Sequence, residues 1–358
     1  MIKNAKNILI INLGGIGDLL LSTPALRALR GVYPNAFISA LVTQTGYEIA
    51  NGLSYFNDVR IFYMNSGGKM PFVKIPQNLR TLLSLRKKRF DIAVNMRTIV
   101  SKSSALKLKV LLDIINPRIK VGRDTDRMGY FFDVRIPETL IGKKYEMEYD
   151  IDAVKALGAE VIDRSINYGI KNSAIGKIDG ILEKNGIHEN DLLVGIHPGG
   201  TISHRWPVEY FSAAIGGISE KITCKFVITG AANEVDLSHA LSNITKIKTT
   251  IFTGEINVNE LFALIKRCHL FISNDTSTMH IAAALKIPLI ALCGPGDITR
   301  FNPCNISDKA EVLYKKTDCS PCSLISCDSL KCLKAILPEE VIETALNFLS
   351  KHGRKIDA

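Results

Sequence analysis

Leu270-Phe271-Ile272-Ser273-Asn274-Asp275-Thr276-Ser277-Thr278-Met279-His280-Ile281-Ala282-Ala283-Ala284-Leu285-Lys286-Ile287-Pro288-Leu289-Ile290-Ala291-Leu292-Cys293-Gly294-Pro295-Gly296-Asp297 reads as strand, polar turn, helix and strand. The run 270–273 has the unbroken hydrophobicity of a buried parallel strand. Short polar side chains at 274–277 stand where a helix begins. Residues 281–285 continue that helix, Pro288 marks its exit, and 289–293 form the next strand. In an open α/β sheet such a turn lies at the carboxyl edge of the strands, where ligands bind. The helix N-terminus offers free N–H groups and a positive dipole end, which suits a phosphate. A capped helix between two core strands reads the same way locally, so function has to come from what the rest of the chain adds.

The chain has 358 residues, which fits two domains of about 150–200 residues each. Its 46% hydrophobic and 22% charged residues are those of a globular protein with ample core. No run approaches the roughly 18 apolar residues of a membrane helix. The basic N-terminus is followed by an apolar run that stops at Asn12 and Gly14, too short for a signal peptide, so a cytoplasmic location is expected. The net charge of +10 admits nucleic acid, an anionic membrane surface or a phosphorylated ligand. The densest basic group, Arg86-Lys87-Lys88-Arg89, fits either a solvated helix end or peripheral contact with an anionic membrane. No RNP, helix-turn-helix or zinc-finger pattern is present, and nucleic acid is not an expected partner.

Strands alternate with helices along the whole length, the pattern of a parallel sheet covered on both faces. In the first half, strands are expected at 7–13, 36–42, 59–64 and 91–96, with helices at 75–90, 101–115 and 145–157. Residues 118–129, rich in charge, read as a loop at the sheet edge. Pro24 marks either the first turn of a helix capped near Ser22 or Thr23 or a kink in one beginning at Asp18. Periodicity fades over 160–190, where the domain junction is placed. The pattern then restarts, with strands at 192–197, 225–229 and 249–253, helices at 207–220, 233–243 and 257–267, the opening unit, and a closing helix at 338–351.

Two glycine turns follow strands. Gly14-Gly15-Ile16-Gly17-Asp18 lacks the third glycine of a dinucleotide fingerprint, because Leu20 stands there, and no P-loop is present. The turn still lets another molecule approach the backbone closely. Asp18 can take a proton from a hydroxyl nucleophile or stabilise the helix through its dipole. His197-Pro198-Gly199-Gly200-Thr201-Ile202-Ser203-His204-Arg205-Trp206-Pro207 exposes backbone N–H groups and brings positive charge beside them. With the 274–277 turn it could grip a diphosphate from two sides. Cys319, Cys322, Cys327 and Cys332 crowd together among eight cysteines. A structural zinc or iron, reduced thiols and disulfides are the three readings of that cluster.

These motifs, in this order and over nearly the whole chain, resemble glycosyltransferase family 9, the ADP-heptose:lipopolysaccharide heptosyltransferases. The resemblance rests on the turn at 14–18, on 198–207, and on Asn274-Asp275-Thr276 through His280 and Gly294-Pro295. It implies an α/β GT-B fold, two Rossmann-like domains with parallel sheets facing across a cleft. An acceptor domain is expected at 1–170 and a nucleotide-sugar domain at 171–335, with 336–358 a closing helix that packs back on the first. It implies an inverting, metal-independent transfer that needs no cofactor, with Asp18 as general base and Gly14 and Gly15 on the acceptor side. The donor, an ADP-sugar, would meet Gly199, Gly200, Thr201, His204, Arg205, Asp275, Thr276, Ser277 and His280. Glu234 would take the ribose hydroxyls and Ile256 would flank the adenine. Lipid A carrying core oligosaccharide, or another glycan, would be the acceptor, met by residues in the region 64–135. The chain departs from the family's pattern at His204, where a lysine is common, and at Ser277, where glycine is common. Arg205, next to the first of these, can hold a phosphate bidentately. A nucleotide-sugar epimerase and a non-catalytic sugar-nucleotide-binding protein share the architecture.

Overall fold

The computed structural model describes residues 4–64, 70–322 and 324–350. The first residues of the basic N-terminus, part of the 64–135 region, Ser323 within the cysteine cluster and Lys351 at the expected end of the closing helix lie outside them. The chain divides into two compact units, Met1–Gly169 and Ile170–Ala358.

The first unit contains β1 (Asn7–Asn12), α1 (Ile16–Val32), β2 (Phe37–Val42), α2 (Gln44–Gly52), β3 (Asp58–Ile61), α3 (Ile75–Arg86), β4 (Ile92–Asn95), α4 (Lys102–Ile115), β5 (Ile119–Thr125), β6 (Val134–Glu138) and α5 (Glu146–Lys155). Its six strands are parallel and ordered β3-β2-β1-β4-β5-β6. The order reverses between β1 and β4, so their carboxyl ends open the crevice where such sheets bind ligands. Strand β1 is apolar and almost wholly buried, because a central parallel strand is covered on both faces.

Two expectations are corrected here. The charged stretch read as an edge loop at 118–129 contains β5, inside the sheet between β4 and β6. Its Arg123 is fully buried, and its charge is met by carboxylates distant in sequence. The helix expected over 75–90 ends at Arg86, and the chain turns through Arg89 in a left-handed conformation before β4. Between the two readings of Pro24, the structure gives one helix that runs through the proline from Ile16. Proline cannot donate to the carbonyl four residues back, and the Thr23 hydroxyl donates to Leu20 O instead, at 2.7 Å.

The second unit contains α6 (Asn172–Lys184), β7 (Leu193–His197), α7 (Val208–Lys221), β8 (Lys225–Ile228), α8 (Val235–Ile244), β9 (Thr249–Ile251), α9 (Val258–Arg267), β10 (Leu270–Asn274), α10 (Ser277–Ala284), β11 (Leu289–Cys293), α11 (Ile298–Phe301), β12 (Ala310–Tyr314), α12 (Lys331–Lys334) and α13 (Pro338–Ser350). The parallel sheet runs β12-β11-β10-β7-β8-β9. Counted along this unit it repeats the strand order of the first, with the reversal between β7 and β10. Helix α9 starts with a reciprocal cap: Asn257 Oδ1 accepts from Glu260 N and Glu260 Oε2 accepts from Asn257 N, both at 3.0 Å. The closing helix α13 packs on α7, and its Val341, Ala345 and Leu349 enter the core of this unit beside Trp206 and Phe211.

Candidate functional site

In the second unit the ends of β7 and β10 lie side by side and their turns are clipped together by Asn274. This buried side chain donates to the carbonyls of Pro198 (2.8 Å) and Gly199 (3.0 Å) and accepts from Trp206 N at 3.0 Å. An amide is required, because the task needs both donors and an acceptor from one side chain. Gly200 has φ +115°, and a Cβ there would stand 2.5 Å from Thr276 Cγ2. Glycine therefore permits both the backbone conformation and the close approach of the two turns.

Arg205 and Glu234 meet behind the glycine turn. Glu234 Oε1 accepts from Gly200 N at 2.6 Å and from Arg205 Nη2 at 3.3 Å, and its Oε2 accepts from Ala231 N at 2.8 Å. Arg205 Nε donates to Gly200 O at 2.8 Å. His204 Nδ1 lies 3.5 Å from Asp275 Oδ2. Thr276 stands at the N-cap position of α10 without a side-chain capping bond, its hydroxyl 2.7 Å from that of Thr278, with Ser277 at the first helical position and both side chains partly exposed. Thr201 is exposed, and Ile256 is partly exposed in the turn after β9. His280 is buried inside α10, 6.3 Å from the Phe301 ring. Burial pushes His197 down to about 4, and it stays neutral, hydrogen-bonded to Thr229 at 3.0 Å.

In the first unit Asp18, in the first turn of α1 after β1, meets Arg97, just past β4. Gly15 caps α1, and its N–H donates to Asp18 Oδ2 at 2.7 Å. A Cβ on Gly14 would collide with that carboxylate. The other oxygen, Oδ1, accepts from Arg97 Nη1. Arg97 also lies 3.5 Å from Glu146 Oε1. Glu146 in turn pairs with Arg123 at 2.6 Å, and Arg123 pairs with Glu138 at 3.2 Å and with Asp150. Four carboxylates thus surround two guanidiniums. Burial opposes the Arg97 charge, but Asp18 and Glu146 outweigh it and hold its pKa above the ordinary value. Burial pushes Asp150 up to about 6 against the pull of Arg123, and Ser22 Oγ donates to it at 2.6 Å.

Sequence reasoning found Asp18 and missed Arg97, Arg123, Glu138, Glu146, Asp150 and the clip made by Asn274. A usable signal existed for Arg97, a charged residue directly after the carboxyl end of an apolar strand. None existed for Arg123, whose partners are 15, 23 and 27 residues away.

All eight cysteines are free thiols. Among the described residues no group of three or more His, Cys, Asp or Glu side chains is arranged to hold a metal ion, so Cys319, Cys322, Cys327 and Cys332 do not fit a metal knuckle as they stand. Cys332 is buried and Cys319 exposed, while Cys327 bonds with Ser329 Oγ and accepts from Leu330 N. Among the described residues no helix is long and apolar enough to cross a membrane.

Comparison with known proteins places these turns in a family. Lipooligosaccharide heptosyltransferase 2 of Campylobacter jejuni subsp. jejuni is 24% identical over 316 residues, covering 82% of this chain and 90% of its own. Among solved structures, the glycosyl transferase family 9 protein from Veillonella parvula superposes with a TM-score of 0.77 at 20% identity, covering 98% of this chain and 99% of its own. The E. coli ADP-heptose LPS heptosyltransferase II superposes with a TM-score of 0.71 at 20% identity, covering 97% and 100%. These two likenesses bear on the fold, which is that of the GT-B glycosyltransferases. The family model described as glycosyltransferase family 9 (heptosyltransferase) matches residues 79–333, a span that holds Arg97, the glycine turn, Arg205 and the α10 turn. With that span exceeding half of the chain, the protein belongs to glycosyltransferase family 9, the heptosyltransferases.

Proposed function

We propose that this glycosyltransferase moves a heptose from an ADP-heptose donor to a hydroxyl of a lipopolysaccharide core acceptor, inverting the anomeric centre and using no metal. The observation that carries the reading is the joined pair of turns at the β7/β10 switch point, where Gly200, Arg205 and the N-terminus of α10 converge. Charge that develops on a departing diphosphate is stabilised by preorganised N–H groups and a guanidinium. Arg205 is already held by Gly200 O and Glu234, so it is oriented before the donor arrives. Gly199, Thr201, His204, Asp275, Thr276 and Ser277 line the same turns and are assigned to the donor, His280 supporting them from within α10. A carboxylate has about four lone-pair sites. Among the described residues Glu234 Oε2 accepts from Ala231 alone, which leaves a site for a ribose hydroxyl. Ile256 stands in the turn after β9 as an apolar neighbour for the adenine.

Asp18 is assigned as general base. Among the described residues each of its oxygens is fixed by one donor, Gly15 N–H or Arg97, and each keeps a lone pair for a hydroxyl proton. Gly14 and Gly15 bring the backbone of the acceptor side close to that carboxylate. The acceptor is lipid-anchored in this reading, so the protein works in peripheral contact with the anionic inner-membrane surface. The four clustered cysteines take no part in the reaction.

The test is calorimetric titration with ADP, UDP, GDP and CMP, followed by turnover with the matching sugar nucleotides. ADP is expected to bind most tightly and ADP-heptose to be consumed. UDP binding as tight as ADP would overturn the donor assignment, and ADP binding without turnover would overturn the catalytic one.

A further inference from the structure

The first unit has a second surface, on α3 and α4, that contains neither Asp18 nor Arg97. Between Met70 and Phe90 the chain carries six basic residues, Lys74, Arg80, Arg86, Lys87, Lys88 and Arg89, and no acidic one. Asn78, Leu82 and Leu85 of α3 face the core. One flank of that buried face is apolar and partly uncovered: Phe72 and Val73, in the turn before α3, are 88% and 85% exposed, and Ile75, Leu79 and Leu83 follow at helical spacing. Helix α4 packs beside α3 and presents Leu106 and Val110 outward, with Lys102 and Lys107 exposed among them. Asp113 is the one acidic residue of either helix, and Lys109 and Lys120 neutralise it. Single exposed apolar side chains are ordinary, whereas a row of them along one helix, with more on its neighbour, points to an interaction surface.

Just past this stripe lies a pocket of about 390 Å³ lined by Arg86, Arg89, Phe90, Ile115, Asn116 and Arg118. Arg86 stands one turn beyond Leu83 and is steadied by the Ile114 carbonyl at 2.9 Å. Arg118 shares the Asp91 carboxylate at 3.5 Å. Among the described residues Arg89 makes no ion pair and no side-chain hydrogen bond. Three guanidiniums with one carboxylate partner leave an excess of donors in a planar fork geometry that suits a phosphate.

We infer that the α3–α4 face docks on an anionic bilayer, with Phe72, Val73, Ile75, Leu79 and Leu83 entering the headgroup region and the arginine pocket receiving a lipid phosphate. Charge complementarity selects this occupant. A stripe of Phe, Val, Leu and Ile whose charged neighbours between residues 70 and 90 are all Lys and Arg has the composition of a helix lying in an anionic membrane interface. The inference deepens the membrane contact in the proposed function, but its test uses neither donor nor acceptor, so either idea can fail alone.

The test is co-sedimentation of the full chain with phosphatidylcholine vesicles, with and without phosphatidylglycerol. The parent should bind the anionic vesicles, bind the neutral ones weakly, and release as salt rises. Each basic residue near the surface contributes about fivefold to binding, so Arg86→Ser with Arg89→Ser should lose roughly 25-fold. Phe72→Ser with Leu79→Ser should weaken binding to the same vesicles with all charges retained. These side chains are exposed, and unchanged melting confirms that the variants fold. A parent that ignores anionic vesicles, or apolar variants that bind as it does, overturns the docking face. Arginine variants that bind like the parent overturn the phosphate seat.

Discussion

Arg97 is ion-paired to Asp18 across the switch point of the first sheet, joining the end of β4 to the first turn of α1. The pair holds the Asp18 carboxylate in one orientation while Gly15 N–H holds its other oxygen. Asp18→Asn keeps the size and most of the bonding but removes the basicity. Turnover is expected to fall at least about a hundredfold, with ADP affinity little changed because the donor turns are in the other unit. Arg97→Gln should also lower kcat and leave ADP affinity alone. An Asp18→Asn chain that melts normally and turns over within about threefold of the parent, far short of a general base's share, would remove Asp18 from the mechanism.

Gly200 and Gly216 should respond in opposite ways to alanine. At Gly200 the positive φ and the 2.5 Å approach to Thr276 both resist a Cβ. Strain of this kind costs roughly 1–3 kcal/mol, and relief by moving the turn should weaken ADP binding about tenfold or more, tenfold being about 1.4 kcal/mol. At Gly216, inside α7, a Cβ meets nothing within 4 Å. There alanine should stabilise the chain by about 0.5–1 kcal/mol. Melting and calorimetry on both variants check the contrast.

Asp150 gives a pH dependence with a defined sign. Its pKa is raised to about 6 in the folded chain, chiefly by burial and further by Glu146, against about 3.9 when unfolded. Between these values the folded state binds more protons than the unfolded one, so this group's contribution falls as pH rises from 4 to 6 and is flat above. Asp150→Asn mimics the protonated form. The variant should match or exceed the parent's stability at pH 7, by at most ~3 kcal/mol, and lose that advantage by about pH 4. Urea unfolding at both pH values reads it, and a difference independent of pH would show that Asp150 titrates normally.

The cysteines should react unequally. The Ser329 hydroxyl and the Leu330 N–H hold the Cys327 thiol below its ordinary pKa, whereas burial pushes Cys224 and Cys268 up to about 12. Reactivity follows the thiolate fraction and access. Brief alkylation of the native chain at neutral pH, followed by peptide mapping, should mark Cys327 well before Cys224 or Cys268. Metal analysis of anaerobically purified protein should find substoichiometric zinc and iron. A full equivalent that protects all four clustered thiols together would mean that the cluster rearranges around an ion.

The parts of the fold that could be read from sequence are those where burial is written in neighbouring residues. Strands β1, β7, β10 and β11 are apolar runs because both faces are covered, and their following turns announce themselves by glycine and short polar residues. Strand β5 could not be read this way. Lys120, Arg123 and Asp124 break its apolar pattern, and what makes Arg123 tolerable inside is a set of carboxylates brought by β6 and α5. A local window holds no record of such pairing. The same limit hid the site's support. Asp18 stands beside a glycine and Arg205 closes a stretch opened by two, so both were visible, while the pairing of Arg97 with Glu146 and the linkage of Arg205 to Glu234 exist only once the strands are ordered.

Trp206 follows Arg205 directly and is the only tryptophan in the chain. Its backbone N–H is held by Asn274, and its indole N–H donates to Ile336 O at 3.0 Å. Its ring is buried edge-on against Phe211, with centroids 4.9 Å apart. The glycine turn therefore has a built-in fluorophore. Selective excitation of tryptophan interrogates this one corner of the second sheet without a label. A displacement of Arg205 by an arriving diphosphate would be reported as a change in emission from the residue bonded to it, on the timescale of a stopped-flow mixing experiment.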